Sequence, residues 1–204
     1  MGMKEVPIFK VGNYYGYNQE LFTDHWMNIG GCGAVTACDV SIFLALNHGL
    51  TKLYSFDVRH IRATEYIRFS QLMKPYLRPR QSGIDTLELW IDGYSRYVQD
   101  CGETNVYMRG LSAACSLAEM EKAVRRAIDN NLPVPYLNLR HANPNMISYV
   151  WHWFWLAGYE GGYDDFLVKV VTYGSYRWLP LKELWDTGYE KKGGLILLSL
   201  PWDR

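Results

Sequence analysis

Charge of one sign is what this sequence lacks first: its 21 lysines and arginines are matched by 21 aspartates and glutamates. No net field draws the chain to nucleic acid or to an anionic membrane. Cysteine is scarce as well. Four residues, Cys32, Cys38, Cys101 and Cys115, among 204 are too few for a disulfide scaffold, and no CxxC pair marks a zinc knuckle, so free thiols are expected. No HxxxH spacing occurs either; a metal site would need the dispersed Cys32, His25 and His152 to converge, and neither metal nor cofactor is expected. Nor does any apolar run approach the roughly 18 residues of a membrane span. The opening "MGMKEVPIFKVGNYYGYNQE" has no apolar stretch of a secretion signal, so a cytoplasmic location is expected, with an export segment removed ahead of this start as the alternative. Repeats, low-complexity tracts and long linkers are missing too, which argues for one compact domain over 1–204.

What is present is apolar bulk, 49% of the residues, and aromatics, with 16 Tyr and 8 Trp. The Tyr-rich "NYYGYNQELF" reads as packing, with a sugar-binding or peptide-binding surface as the alternative. Residues 6–11 fit a short strand. A Gly-rich turn then leads into a helix from about Gly33 to His48, stopped by Gly49. Helical periodicity continues in "FDVRHIRATEYIRFSQLMKPY" and "IDTLELWIDGYSRYVQDCG". At "SLAE" Ser116 and Glu119 form a capping box opening a further helix that ends near "DNNLP". From Leu132 onward strands dominate: "VPYLNL", "SYVWHWFWLAGY", "DFLVKVVTYG" and "GLILLSL", with a short helix at "PLKELWD". Helices over 1–131 followed by strands over 132–204 indicate an α+β fold.

The chemistry concentrates at "NIGGCGAVTACDV". Cys32 sits at a predicted helix N-terminus, where unpaired amides and the macrodipole favour a thiolate, and Gly30, Gly31 and Gly33 allow a sharp turn and a close approach by substrate. A small buried hydrophobe is the alternative reading of Cys32, and the simplest reading of Cys38, Cys101 and Cys115. Thiolate chemistry needs a base. His48, His60 and His141 have ordinary surface explanations, and His25 lies in a loop that could approach Cys32. His152 is different, because it interrupts a strand apolar on both faces and therefore needs a buried partner. A five-residue hairpin loop at 160–164 would pair Tyr159 with Asp165 and set Thr172 opposite His152; a loop one residue shorter would set Val171 there instead.

"GGCGAVTA" at a helix start, and "HWFWLAGY" on a strand 120 residues later, together resemble the papain-like cysteine peptidases, nearest to the bacterial branch that includes the double-glycine leader peptidases. The resemblance implies a papain-like arrangement, with the nucleophile in an N-terminal helical half and an antiparallel sheet behind it. It implies thiol attack on a peptide or related amide through a thioester, with Cys32 as nucleophile and His152 as base. The family's glutamine six residues before the cysteine is replaced by Trp26. Asn28 is then the nearest amide for an oxyanion hole, with Gln19 as fallback and the Cys32 backbone amide as second donor. "VVTYG" stands where the family carries its orienting Asn or Asp, which leaves Thr172 or its neighbour for that role, while Asp164 and Asp165 look like hairpin-tip residues. The implied partner is a peptide or protein substrate. An acyltransferase using the same residues, and an inactive binding protein of the same fold, remain alternatives.

Overall fold

The computed structural model describes residues 2–80, 83–162 and 165–201. After a separate short strand β1 (Lys4–Glu5), the strand expected over 6–11 is confined to its end, β2 (Lys10–Val11), which pairs with β3 (Tyr14–Tyr15). A short helix α1 (His25–Gly30), capped by the Asp24 side chain on the Met27 amide, runs directly into α2 (Cys32–His48). Gly31 makes this junction: a Cβ there would lie 2.3 Å from the Met27 carbonyl oxygen. Gly49, left-handed at φ 70°, ends α2 as expected.

Every residue of α2 from Cys32 to Ala45 is buried. A helix covered on all sides belongs to the core rather than the surface. Around it lie α3 (Ala63–Met73) and α4 (Leu87–Asp100). Helix α3 is shorter than the apolar periodicity of 56–76 suggests: it opens after Arg62, and Asp57 caps a turn of its own through the Arg59 amide. Thr86 caps α4 by accepting from the Leu89 amide.

The next element is β4 (Tyr107–Ser112), which the sequence reading left unassigned. Its residues are exposed or half-buried, none fully buried, and Gly110 sits in the middle where Leu87 packs against the backbone. Helix α5 (Leu117–Asp129) opens with the expected box, Ser116 accepting from the Glu119 amide and Glu119 from the Ser116 amide.

Strands β5 (Val134–Asn138), β6 (His152–Glu160), β7 (Leu167–Thr172), β8 (Ser175–Pro180) and β9 (Gly193–Ser199) complete an antiparallel sheet in the order β4, β9, β5, β6, β7, β8, with α6 (Leu181–Trp185) between β8 and β9. β1 joins as a seventh strand, pairing with β6 at Gly158 and Tyr159, beyond the end of β5. The architecture is thus α+β, several helices with a multi-strand antiparallel sheet. Among the described residues no helix is long and apolar enough to cross a membrane.

β6 is central, and its two faces do different work. Trp153 and Trp155 turn toward α2: the Trp155 indole donates to Asp39 at 3.1 Å, and the Trp153 indole to the Ile84 carbonyl at 2.6 Å. Trp90 of α4 stacks on Trp153 and donates to the Gly33 carbonyl, which fixes the first turn of α2 against the sheet. On the opposite face Phe154 stacks on Tyr136.

Candidate functional site

The α1–α2 junction and the start of β6 bring Cys32 and His152 to one cavity, lined also by Tyr17, Gln19, Asp39 and Tyr173. The cavity leaves about 10 Å³ open to a water-sized sphere, about what a single water requires. Its walls follow from helix spacing: Cys32, Val35, Thr36 and Asp39 form one face of α2.

Strand β6 begins at His152 because the chain before it cannot be a strand. Pro144 opens a 3-10 segment, Pro144–Tyr149, and Trp151 follows in the left-handed region at φ 51°. His152 is 4% exposed, and its Nε2 lies 2.7 Å from the Thr172 Oγ1 in a hydrogen bond.

The strand register behind this bond differs from the expected one. Tyr159 pairs with Val168 rather than Asp165, Trp155 with Val171, and a bulge between Leu156 and Tyr159 shifts the ladder. Continued to its end, that ladder displaces Thr172 by two residues from direct opposition to His152. A two-residue displacement preserves the face, and diagonal neighbours remain within reach. Asp164 of the expected hairpin tip lies outside the described residues.

After Thr172 the chain reverses through Tyr173 and Gly174, both at positive φ (50° and 69°), and Thr172 pairs with Ser175. This is the backbone of a type I′ turn. The strained Tyr173 lays its ring on the imidazole, centroids 4.6 Å apart and planes within 3°, and its hydroxyl donates to the Ser148 carbonyl. The strand expected over 165–174 ends at Thr172 as β7, and β8, which has no counterpart among the expected strands, follows the turn. The pair Tyr-Gly between two β-rich runs is the signal for that turn.

Burial governs the ionisation of both groups. It pushes the Cys32 thiol up, against the backbone amides of Trp153, Gly33 and Cys32 itself, which pull it down. The depressed thiol value expected from a helix terminus is therefore reversed, because enclosure outweighs the few amides aimed at sulfur. Burial also pushes the His152 imidazole down to about 4. Neutral thiol and neutral imidazole are the resting pair, and among the described residues no hydrogen bond joins them.

Asn28 does not line the cavity. Its amide donates to the Glu20 and Phe22 carbonyls, holding the loop before α1, so the oxyanion role expected of it has no free geometry here. Gln19 does line the cavity, with its Nε2 donating to the Asn28 carbonyl at 3.1 Å. His25 is exposed on α1 beside Trp26. His48 and His141 donate to the Asn131 and Glu183 carbonyls, and His60 pairs with Asp57. Among the described residues all four cysteines are free, and no group of three or more His, Cys, Asp or Glu could hold a metal ion.

Two buried polar groups went unanticipated. Asp39 of α2 accepts from the Tyr66 hydroxyl at 2.6 Å and from the Trp155 indole, and burial pushes its carboxyl up to about 7. Asn138 pairs with His152 across β5 and β6, and neither amide atom has a hydrogen-bond partner among the described residues.

No protein-family model, curated protein or solved structure matches this chain.

Proposed function

We propose that the chain is a thiol hydrolase of papain-like arrangement, cleaving a peptide or related amide through a thioester on Cys32. The observation that carries this reading is the convergence in one cavity of a thiol at a helix start with a buried imidazole already held by a hydroxyl and a stacked ring. In the tautomer this reaction uses, Nε2–H donates to Thr172, which leaves the lone pair on Nδ1 as the base.

In the reaction, Nδ1 takes the thiol proton as sulfur bonds to the amide carbon, and the carbonyl π electrons move to oxygen. The resting pair is neutral, so both charges appear together in this step and stabilise each other. The Cys32 backbone amide and Gln19 serve the oxyanion. Collapse breaks the C–N bond, and the imidazolium gives its proton to the leaving amine. Water then adds to the thioester with His152 as base, releasing a carboxylate and restoring the thiol. An amine in place of that water would give acyl transfer from the same intermediate.

The test is Cys32 alkylation by iodoacetamide across pH, read by peptide mapping, in the wild type and in His152→Ala. Base assistance predicts a rate near pH 7 that falls when His152 is removed, together with loss of amidase activity in Cys32→Ser. An alkylation rate indifferent to His152, or amidase activity surviving Cys32→Ser, removes the proposal.

A further inference from the structure

A second cleft abuts the first, with Thr172 and Tyr173 as shared wall. It has about 160 Å³ of open space, the size of a chain end rather than of a protein surface. β8 forms its outer side. Arg177 pairs with Val170, two residues from Thr172, so Arg177 and Thr172 project from the same face of the sheet. Asn145, Ser148 and Tyr149 of the 3-10 segment close the other side, and Ser175 lies at the turn.

Arg177 is exposed and makes no ion pair among the described residues. The arginines that lean on aromatic rings do so elsewhere: Arg125 on Tyr159 and Phe166, Arg140 between Trp151 and Tyr189, Arg68 on Phe56. Tyr149 is close enough to feel the Arg177 charge: burial pushes its hydroxyl up, and the guanidinium pulls the other way. The cleft thus combines an exposed guanidinium, unpaired among the described residues, with side-chain hydroxyl and amide groups, in walls that end at the His152 partner. A planar guanidinium among such donors matches a carboxylate, which it can hold through two parallel hydrogen bonds.

Position supplies the role. In the proposed reaction the imidazole hands its proton to the leaving amine, so that part of the substrate lies on the imidazole side of the thiol. This is the side on which the second cleft opens. We infer that the cleft takes the terminal carboxylate of the leaving amine, so that the scissile amide is one whose amine belongs to a free amino acid or the last residues of a peptide. The inference rests on the thiol-hydrolase reading for its role, while the carboxylate site itself does not. For acyl transfer, the same cleft would select an acceptor amine carrying a carboxylate.

The experiment separates the two. Calorimetric titration of the wild type with Ala-Ala, with Ala-Ala amide and with the amide-capped dipeptide Ala-Glu compares a chain-end carboxylate, no carboxylate and a side-chain carboxylate. The expected result is that Ala-Ala binds about tenfold or more tightly than either capped dipeptide. That preference should collapse toward unity in Arg177→Gln and survive in part in Arg177→Lys. Equal affinities in the wild type, no detectable binding, or a preference untouched by Arg177→Gln overturns the inference; a capped Ala-Glu that matches Ala-Ala overturns its chain-end assignment. Hydrolysis of an acylated Ala-Ala and of its amide is read separately. Turnover of neither defeats the hydrolase reading and leaves the calorimetric ratio to decide the site.

Discussion

Replacing Thr172 by valine takes one hydroxyl from the site and keeps the branched shape. In the native protein that oxygen lies 2.7 Å from Nε2 of a His152 only 4% exposed. Without it the ring nitrogen is left buried and unpaired, a penalty of about 1–3 kcal/mol. In the proposed mechanism, ring flips and the other tautomer relieve that penalty by taking Nδ1 out of its role as base, so the competent fraction falls by about 5- to 150-fold. Tyr173, stacked at 4.6 Å, still holds the plane of the ring, which places the expected loss toward the lower end. The assay is the second-order rate of Cys32 alkylation, with denaturant unfolding in parallel. The rate in Thr172→Val should fall between wild type and His152→Ala, and Thr172→Ser should restore most of it. A loss of stability with an unchanged alkylation rate would refute the reasoning, because the bond would then serve only to satisfy a buried ring.

Gln19→Ala should lower amide hydrolysis by about 10²–10³-fold while leaving alkylation by iodoacetamide unchanged, since alkylation develops no oxyanion; equal losses in both would tie Gln19 to folding instead. Asp39, displaced from 3.8 to about 7, favours the folded state fully below pH 4 and loses that contribution as pH rises to 7. By linkage the loss is about 4 kcal/mol, so Asp39→Asn should gain that much on wild type between pH 4 and 7, and parallel unfolding curves would contradict it. His152, held down to about 4, works in the opposite sense, losing stability as pH falls from 6.5 to 4, so the wild-type curve should be comparatively flat in that window. Asn138→Leu should raise stability by about 1–3 kcal/mol by removing an orphaned amide; a fall in Cys32 alkylation in that variant would show that the amide acts on His152 instead.

Much of this fold could be read from residue order, because its strongest elements are locally consistent. The buried helix between glycines, the Ser116 box and the apolar β6 each carry their own signal. β4 and β8 do not. Both lie at sheet edges, where half of each strand faces solvent and polar residues such as Arg109 and Arg177 dilute the pattern. Within the site, Cys32 and His152 stand out as chemistry in apolar surroundings. The Thr172 partnership depends on strand parity, which survives a two-residue displacement but would not survive one of a single residue. Gln19 and Tyr173 reach the cavity through a single 3-10 turn and a two-residue hairpin turn whose directions no periodicity encodes. The thiol's ionisation departs from the expectation because a helix terminus is visible in sequence, whereas the depth of enclosure is set by Trp153, Tyr17 and Tyr173 arriving from elsewhere.

The narrowness of the Cys32 cavity bears on how the protein ages. Peroxide attacks thiolates, and it must reach the sulfur to do so. A thiol kept protonated by burial, in a chamber with space for about one water, meets both conditions only when the chamber opens and the imidazole takes its proton. Cys101 and Cys115 are only half-buried. Storage in air without reductant should therefore mark these two with sulfenic acid or mixed disulfides first and spare Cys32. Cys32 would become vulnerable only when the chamber opens, which ties its oxidation to motion of the site rather than to time.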